Sequence, residues 1–239
     1  MISHRLRAER IWEPFETELL RRSLFPGAVF LDVGANLGYF TVLAAAWVGE
    51  AGRVYAFEPE PRNFSLLQSN LALNGYAQRV TTCQAALTDV DGTGQLRLHA
   101  DNLGDHQLGG SATADSVEVR LLNGANWFAN RESRLDVVKI DVQGAEHAVI
   151  LGLLPLLAAS GAKLRILVEL TPRSLRNSGT TGAALIETLD ALGLPFHIVD
   201  HLEHRLAPTT AAELQTWCNN LDAYPDDEGF MNIFLGEAL

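Results

Sequence analysis

Two acidic residues and two glycines stand where successive apolar segments of the chain end. Asp32 lies in the apolar run 28–33, Gly34 and Gly38 follow it, and Glu58 directly follows the run 53–57. Glycines let the backbone turn sharply at the carboxyl end of a strand, where open α/β sheets bind their ligands. An acid at the end of the second strand can accept hydrogen bonds from both hydroxyls of a ribose. The predicted cofactor-binding residues here are Asp32, Gly34, Ala35, Asn36, Gly38, Glu58 and Pro59.

The chemistry of the cofactor follows from motifs that the sequence lacks. Neither GxxxxGK[ST] nor GxGxxG occurs, and these motifs cradle nucleotide phosphates. Asp32 would repel a pyrophosphate, but it can position the cationic amino-acid end of S-adenosylmethionine (SAM), directly or through water. SAM is therefore the predicted cofactor. A tight structural turn at residues 34–38 is the alternative reading.

Three further carboxylates are predicted to converge on the same crevice. Asp141 ends the apolar strand 135–142, Glu146 lies in the first turn of the next helix, and Glu169 ends the strand 164–170. Such a cluster is costly unless it binds a cation, shares protons or acts on a substrate. All three are candidate catalytic residues, and Asp141 is the leading candidate to remove a proton from the methyl acceptor or to anchor it.

Each carboxylate also has a structural explanation. Asp141 could be a capping residue. Glu146 could be stabilised at the start of its helix by the helix macrodipole, and Glu169 could pair with Arg173 or Lys139. The cluster could instead hold Mg²⁺, although carboxylate spacing alone does not define an octahedral site, so the metal remains undetermined.

Alternating strands and helices position these groups. The apolar and glycine pattern predicts a doubly wound, mostly parallel seven-stranded sheet with helices on both faces. The predicted strands are 28–33, 53–57, 80–87, 135–142, 164–170, 196–199 and 230–235. The predicted helices are 39–48, 62–74, 145–152 and 181–192, with Pro155 opening a separate short helical turn that ends near Gly161.

The remaining segments are read as additions to one domain, 1–239. They are an N-terminal helical extension (1–26), an antiparallel insertion (92–122) with a polar loop, and a variable substrate-side segment (200–228). Trp12 and Phe15 either close over the cofactor as part of a lid helix or pack in the core. His99, Asn102 and His106, on the insertion and its loop, are better placed than the other histidines to contact a substrate. His147 could accept a proton at neutral pH but is expected to be a structural residue. His201 and His204 could form a metal cluster with Asp200 and Glu203, but a solvated turn is expected because no distant ligands complete it.

Composition limits the partners and the compartment. The 239 residues include 18 Lys and Arg against 29 Asp and Glu, a net charge of −11, which argues against nucleic acid or an anionic membrane surface. A small-molecule acceptor is expected instead. Residues 1–22 lack the apolar core of a secretory signal, and Cys83 and Cys218 are expected as free thiols, so a cytoplasmic location is predicted. The oligomeric state stays open.

Several motifs together resemble the FkbM-type methyltransferase family. They are Trp12-Glu-Pro14, FLDVGANLGYF (30–40), YAFEPEP (55–61), NLALN (70–74) and KIDVQGAE (139–146), with NIFL (232–235) also similar. The resemblance implies a Rossmann-like class I methyltransferase fold with SAM as cofactor. It also implies O-methyl transfer to a hydroxyl of a sugar, polyketide or other secondary metabolite. In this fold the adenine is expected near the backbone of Ala85 or Ala86 and the side chain of Asp89.

Two departures from the family pattern lie near the substrate side. Gln143 stands where the family commonly has Glu, and residues 121–126 read LLNGAN where a Leu-Asp pair is frequent. Both bear on the identity of the acceptor. Two other functions are compatible with the scaffold: an NAD-dependent oxidoreductase and a catalytically silent SAM-binding domain.

Overall fold

The computed structural model describes residues 11–99, 106–109, 113, 115–224 and 229–238. The strands in these residues are β1 (Val29–Val33), β2 (Arg53–Phe57), β3 (Val80–Cys83), β4 (Ala86–Thr88), β5 (Gly92–Arg97), β6 (Gln107–Leu108), β7 (Ser116–Asn123), β8 (Val137–Ile140), β9 (Arg165–Leu170), β10 (Phe196–Asp200), β11 (Arg205–Thr209) and β12 (Met231–Leu235). The helices are α1 (Pro14–Ser23), α2 (Tyr39–Trp47), α3 (Pro61–Leu73), α4 (Gly124–Phe128), α5 (Glu146–Ser160), α6 (Pro172–Asn177), α7 (Gly182–Asp190) and α8 (Ala211–Asp222), with a 3₁₀ turn at Gly161–Lys163.

The main sheet has the strand order β11-β10-β12-β9-β8-β1-β2-β3. The five strands from β9 to β3 are parallel, whereas β12 runs antiparallel between β9 and β10. Strands β2 and β3 follow on one side of β1, and β8 and β9 lie on its other side. The carboxyl ends of β1 and β8 therefore flank the crevice in which sheets of this type bind ligands.

Two apolar cores cover the two faces of this sheet. Phe30 and Leu31, which are successive residues of β1, belong to opposite cores because side chains alternate along a strand. One core is closed by buried residues of α5 and α7, and the other by buried residues of α1, α2 and α3. The predicted Rossmann-like arrangement, with helices on both faces, is confirmed.

Three details differ from the sequence-based prediction. The sheet has eight strands rather than seven, because residues 205–209 pair with β10 as an edge strand, a position where Pro208 is tolerated. The predicted third strand, 80–87, divides into β3 and β4, which belong to different sheets. Pro155 lies inside the continuous helix α5, whose buried Leu153, Leu156 and Leu157 stabilise it against the missing hydrogen bond.

The second sheet has the order β4-β7-β5-β6 and lies beside α5. Strands β5 and β7 pair antiparallel, as the alternation within residues 92–122 predicts. A Cβ on Gly152 would lie 1.9 Å from the carbonyl oxygen of Thr88, so α5 contacts the backbone of β4 directly. Most of the predicted polar loop at 101–115 lies outside the described residues.

Candidate active site

The turn after β1 packs closely against the backbone at the end of β8. Gly34 has a φ of +79°, and its N–H donates a hydrogen bond to the carbonyl oxygen of Phe57. A Cβ built on Gly34 would lie 1.9 Å from the carbonyl oxygen of Asp141. Asn36 and Gly38 also have positive φ, at +52° and +88°. Glycine at position 34 is therefore required both by the backbone angle and by the close approach of two strand ends.

Glu58 ties this turn to the end of β2. Its carboxylate accepts the N–H of Asn36 at 2.8 Å and the N–H of Glu60 at 2.9 Å. The side chain is almost fully buried, and this burial raises the pKa of Glu58 to about 7. A carboxylate has about four lone-pair sites, so two further donors, such as a pair of ribose hydroxyls, can still be bound.

A cavity opens over the carboxyl ends of β3, β2, β1, β8 and β9. Nine of the thirteen predicted site residues line it: Gly34, Ala35, Asn36, Glu58, Pro59, Ala85, Ala86, Asp141 and Glu169. Four lie away from its wall: Asp32, Gly38, Asp89 and Glu146. Their functional roles stay predictions, and their surroundings are described next.

Asp32 lies behind the glycine turn. It is fully buried, it accepts a hydrogen bond from Thr41 Oγ1 at 2.6 Å, and its Oδ1 lies 4.0 Å from Lys139 Nζ. Burial raises the pKa of Asp32 above its ordinary value. Lys139 Nζ lies between Asp32 and the cavity residue Asp141, at 3.2 Å from the latter, so Asp32 would act on a ligand through this lysine.

Asp89 and Gly38 are also removed from the cavity. Asp89 lines a neighbouring groove together with His147, and its carbonyl accepts a hydrogen bond from Asn123 Nδ2 at 2.7 Å. Gly38 precedes α2, where a Cβ would lie 2.5 Å from Leu67 Cδ1. The division of the predicted third strand explains the displacement of Asp89, because β4 directs the chain into the second sheet.

Two carboxylates at the carboxyl ends of β8 and β9, Asp141 and Glu169, are bridged by the side chain of Gln143. Gln143 Nε2 lies 2.9 Å from Asp141 Oδ1 and 2.9 Å from Glu169 Oε1, and Gln143 has a left-handed backbone with φ of +54°. Burial, together with the nearby Asp141 and Glu146, raises the pKa of Glu169 well above its ordinary value. Glutamine can donate to both carboxylates, whereas a glutamate at this position would add a further negative charge.

Glu146 lies beneath the loop that carries Gln143. Its carboxylate accepts the N–H of Gly144 at 2.9 Å and the N–H of Val142 at 3.2 Å, and burial raises its pKa to about 7. These contacts hold the loop in place. They give Glu146 a structural role in this loop, while its catalytic role stays a prediction.

Two charged residues that the sequence analysis did not assign to the site also line the cavity. Lys139 is buried at the end of an apolar strand, and its charge is balanced by Asp141 and Asp32. Glu13 immediately precedes α1, which begins with Pro14, and its pKa is raised to about 7, chiefly by burial. A lysine within an apolar strand and the Trp12-Glu13-Pro14 motif were the available signals.

The N-terminal segment contributes Trp12 to the cavity wall, whereas Phe15 packs in the core. The backbone N–H of Trp12 donates to the hydroxyl of Tyr39 at 3.3 Å, and its carbonyl accepts from Thr17 Oγ1 at 2.7 Å. The segment is thereby attached to the start of α2, next to the glycine turn.

The histidines lie in different surroundings, and their functional roles stay predictions. His106 lines the cavity and accepts the backbone N–H of His99 at 3.1 Å, whereas Asn102 lies outside the described residues. His147 lies between the hydroxyls of Thr180, at 2.6 Å, and Thr188, at 3.0 Å, and burial lowers its pKa. These contacts are those of a structural residue.

The turn after β10 packs on α1. His201 Nδ1 lies 3.0 Å from Glu16 Oε1, and His204 stacks on Phe15 with ring centroids 5.7 Å apart. Cys83 and Cys218 are both free thiols. Within the described part of the chain, no group of three or more His, Cys, Asp or Glu side chains is placed to hold a metal ion.

This combination of sheet order, glycine turn and acidic strand ends defines a class of protein. A SAM-dependent O-methyltransferase from Thermotoga maritima superposes with a TM-score of 0.51 at 15% identity, over 96% of this chain and 67% of that one. The chain has the Rossmann-like α/β fold of class I SAM-dependent methyltransferases.

The family follows from the sequence of the same region. The profile described as methyltransferase FkbM domain matches residues 32–196, and the chain belongs to this family. Methyltransferase sdnD of Sordaria araneosa is 27% identical over 154 residues, which are 51% of this chain and 59% of the relative. The 31-O-demethyl-FK506 methyltransferase FkbM of Streptomyces tacrolimicus is 29% identical over 160 residues, 54% of this chain and 60% of the relative. The chain spans about three-fifths of each relative's length.

One further property concerns membranes. In the ranges that the structure describes, none of the helices has both the length and the apolar character that a membrane span requires.

Proposed function

We propose that this chain transfers a methyl group from SAM to a hydroxyl oxygen of a small molecule. The observation that carries the proposal is Glu58, a buried carboxylate at the end of β2 that borders the cavity beside the glycine turn. The membership in a methyltransferase family supports the reaction class, and the relative named 31-O-demethyl-FK506 methyltransferase supports oxygen as the acceptor atom.

The residues of the cavity fit the cofactor part by part. Glu58 would accept hydrogen bonds from the ribose hydroxyls, while Ala85 and Ala86 would flank the adenine. The turn at 34–38 lets the backbone approach closely. When bound, SAM supplies an activated methyl group on a sulfonium centre.

Asp141 and Glu169 would orient the acceptor. The acceptor oxygen must be aligned with the methyl group and must lose its proton as the new bond forms. Asp141 borders the cavity, and Lys139 and Gln143 fix both of its oxygens. We assign Asp141 as the group that receives the hydroxyl proton, and Glu169 as its neighbour that holds the acceptor. Magnesium is not required by this assignment.

The charge of the chain bears on the acceptor. With a net charge of −11 and acidic strand ends in the cavity, a neutral or cationic small molecule fits better than a phosphate-rich polymer. Hydroxylated sugars and polyketides are therefore the first acceptors to test.

The test has two stages. Isothermal titration with S-adenosylhomocysteine (SAH), with NAD as the control ligand, should show binding of SAH alone. Incubation with SAM and a panel of hydroxylated sugars and polyketides should then release SAH and give a product heavier by one methylene. Binding of NAD alone would refute the proposal in favour of an oxidoreductase. SAH binding with no transfer across the panel would favour a silent SAM-binding domain.

A further inference from the structure

The sheet order fixes which part of the cavity faces each end of an elongated cofactor. This inference rests on the proposed function. Glu58 follows β2, and Ala85 and Ala86 follow β3, so the adenosine part belongs over these two strands. The sheet continues from β2 through β1 to β8. The amino-acid end of SAM, on the other side of its sulfur, therefore belongs over β1 and β8.

Four charged side chains line this second half of the cavity, and three of them are less suited than the fourth to bind an ammonium group. Asp141 uses one oxygen for Lys139 and the other for Gln143. Glu169 already accepts hydrogen bonds from Gln143 and from Thr171. Lys139 is a cation and would repel an ammonium group.

Glu13 is the fourth of these side chains. It is partly buried and borders the cavity, and Trp12 donates a side-chain hydrogen bond to its carboxylate. That bond leaves acceptor capacity on a group with about four lone-pair sites. Burial, Asp141 and Glu16 all raise its pKa, and the positive charge of Lys139 does not fully compensate them. A cation that entered beside Glu13 would offset the cost of keeping this carboxylate buried and ionised.

The backbone holds Glu13 in this position. Its φ of +43° is in the left-handed region, which is uncommon for a residue other than glycine. Trp12 is bonded to Tyr39 on one side, and on the other side the buried Glu16 of α1 accepts from Asn232 Nδ2 at 2.7 Å. The carboxylate is therefore presented by an anchored segment, which is the arrangement expected of a preorganised binding group.

We propose that Glu13 binds the α-ammonium group of the amino-acid end of SAM and SAH, and that it thereby joins the N-terminal segment to the cofactor site. Glu13 is thus a cofactor-binding residue contributed from outside the region 32–196 that defines the family match.

The test compares two ligands that differ only at the amino-acid end. SAH carries the ammonium group, whereas 5′-methylthioadenosine keeps the adenine and ribose and lacks the whole amino-acid end. Glu13→Gln should weaken SAH about 10- to 100-fold, the loss expected for a charge-assisted hydrogen bond, and should leave 5′-methylthioadenosine within about twofold. Calorimetric titration of both ligands measures this difference.

Two further variants complete the design. Glu18→Gln is the matched control, because Glu18 lies on α1 and pairs with the exposed Arg21; it should not change either affinity. Glu13→Asn removes the same charge with a residue that tolerates the left-handed backbone, so it serves if the glutamine variant fails to fold.

The outcomes separate this inference from the proposed function. Failure of the wild-type chain to bind SAH would refute both. Wild-type binding with equal SAH affinity in the neutral Glu13 variants would refute only the role of Glu13. Equal weakening of SAH and 5′-methylthioadenosine would also refute it, because the effect would then not depend on the ammonium group.

Discussion

Replacing Glu146 by Gln should change the pH dependence of folding stability without removing cofactor binding. The carboxylate is buried and accepts two backbone N–H groups, from Val142 and Gly144, beneath the loop that carries Gln143. An amide offers one accepting oxygen, and its NH₂ group would face a backbone donor. Leaving one buried N–H unsatisfied costs about 1–3 kcal/mol. Because Glu146 does not line the cavity, the SAH affinity should stay unchanged.

The magnitude of the pH effect follows from the pKa of Glu146, which burial raises from 4.5 to about 7. Between these values the folded state binds more protons than the unfolded state, so the free energy of unfolding falls as pH rises. From pH about 5.5 to about 8.5 this single group should lower it by about 2 kcal/mol. The glutamine variant lacks this contribution. Its deficit relative to wild type should therefore shrink by about 2 kcal/mol over the same range.

Urea unfolding of the ligand-free chain at several pH values measures this difference. Glu13 and Glu58 also have raised pKa values, but they are present in both proteins and cancel in the comparison. Glu169, whose pKa Glu146 helps to raise, changes the difference in the same direction as Glu146 itself. Glu187→Gln, on the exposed face of α7, is the control and should give a constant difference. A difference between wild type and the Glu146 variant that does not vary with pH would refute this account of the loop. Loss of SAH binding by a folded variant would show that Glu146 also supports the cofactor site.

Three further substitutions test the site directly. Gly34→Ala should destabilise the fold and abolish SAH binding, because its Cβ would lie 1.9 Å from the carbonyl oxygen of Asp141. Gly49→Ala is the control, since Gly49 has a similar φ of +65° and no neighbour within 4 Å. The difference between the unfolding free energies of the two variants measures the cost of the contact. Glu58→Ala should weaken SAH about 100-fold by removing two charge-assisted hydrogen bonds, and an unchanged dissociation constant would exclude it from the ribose site. Asp141→Asn should bind SAH like wild type and lose turnover; full activity would disprove its role as proton acceptor.

Many elements could be predicted from local patterns because those patterns depend on nearby residues. The apolar run before Gly34 and the helix after it follow from period and glycine placement, and β2 was predicted with its observed bounds, Arg53–Phe57. Edge strand β11 was missed because Arg205–Thr209 has little apolar character of its own and becomes a strand by pairing with β10. Pro155 misled the helix prediction for a related reason, since tertiary packing of α5 outweighs a local preference.

The candidate site shows the same division. The spacing of Asp32, Glu58, Asp141 and Glu169 relative to the strands was readable from the sequence, because parallel strands bring their carboxyl ends to one edge. The sequence could not predict which of these side chains faces the cavity. Asp32 is buried behind the glycine turn, whereas Glu58 borders the cavity. That distinction depends on side-chain direction and on depth below the turn.

The sequence by itself determined the class of fold, the family and the strand ends that border the cavity. These follow from periodicity and from short motifs, each of which involves residues close together in the chain. Only the tertiary structure decided that Glu13 joins the cavity, that Lys139 balances two carboxylates, and that Gln143 bridges Asp141 to Glu169. Such contacts join residues from separate strands, loops and the N-terminal segment. Charge balance in a buried site depends on their distances in space rather than along the chain.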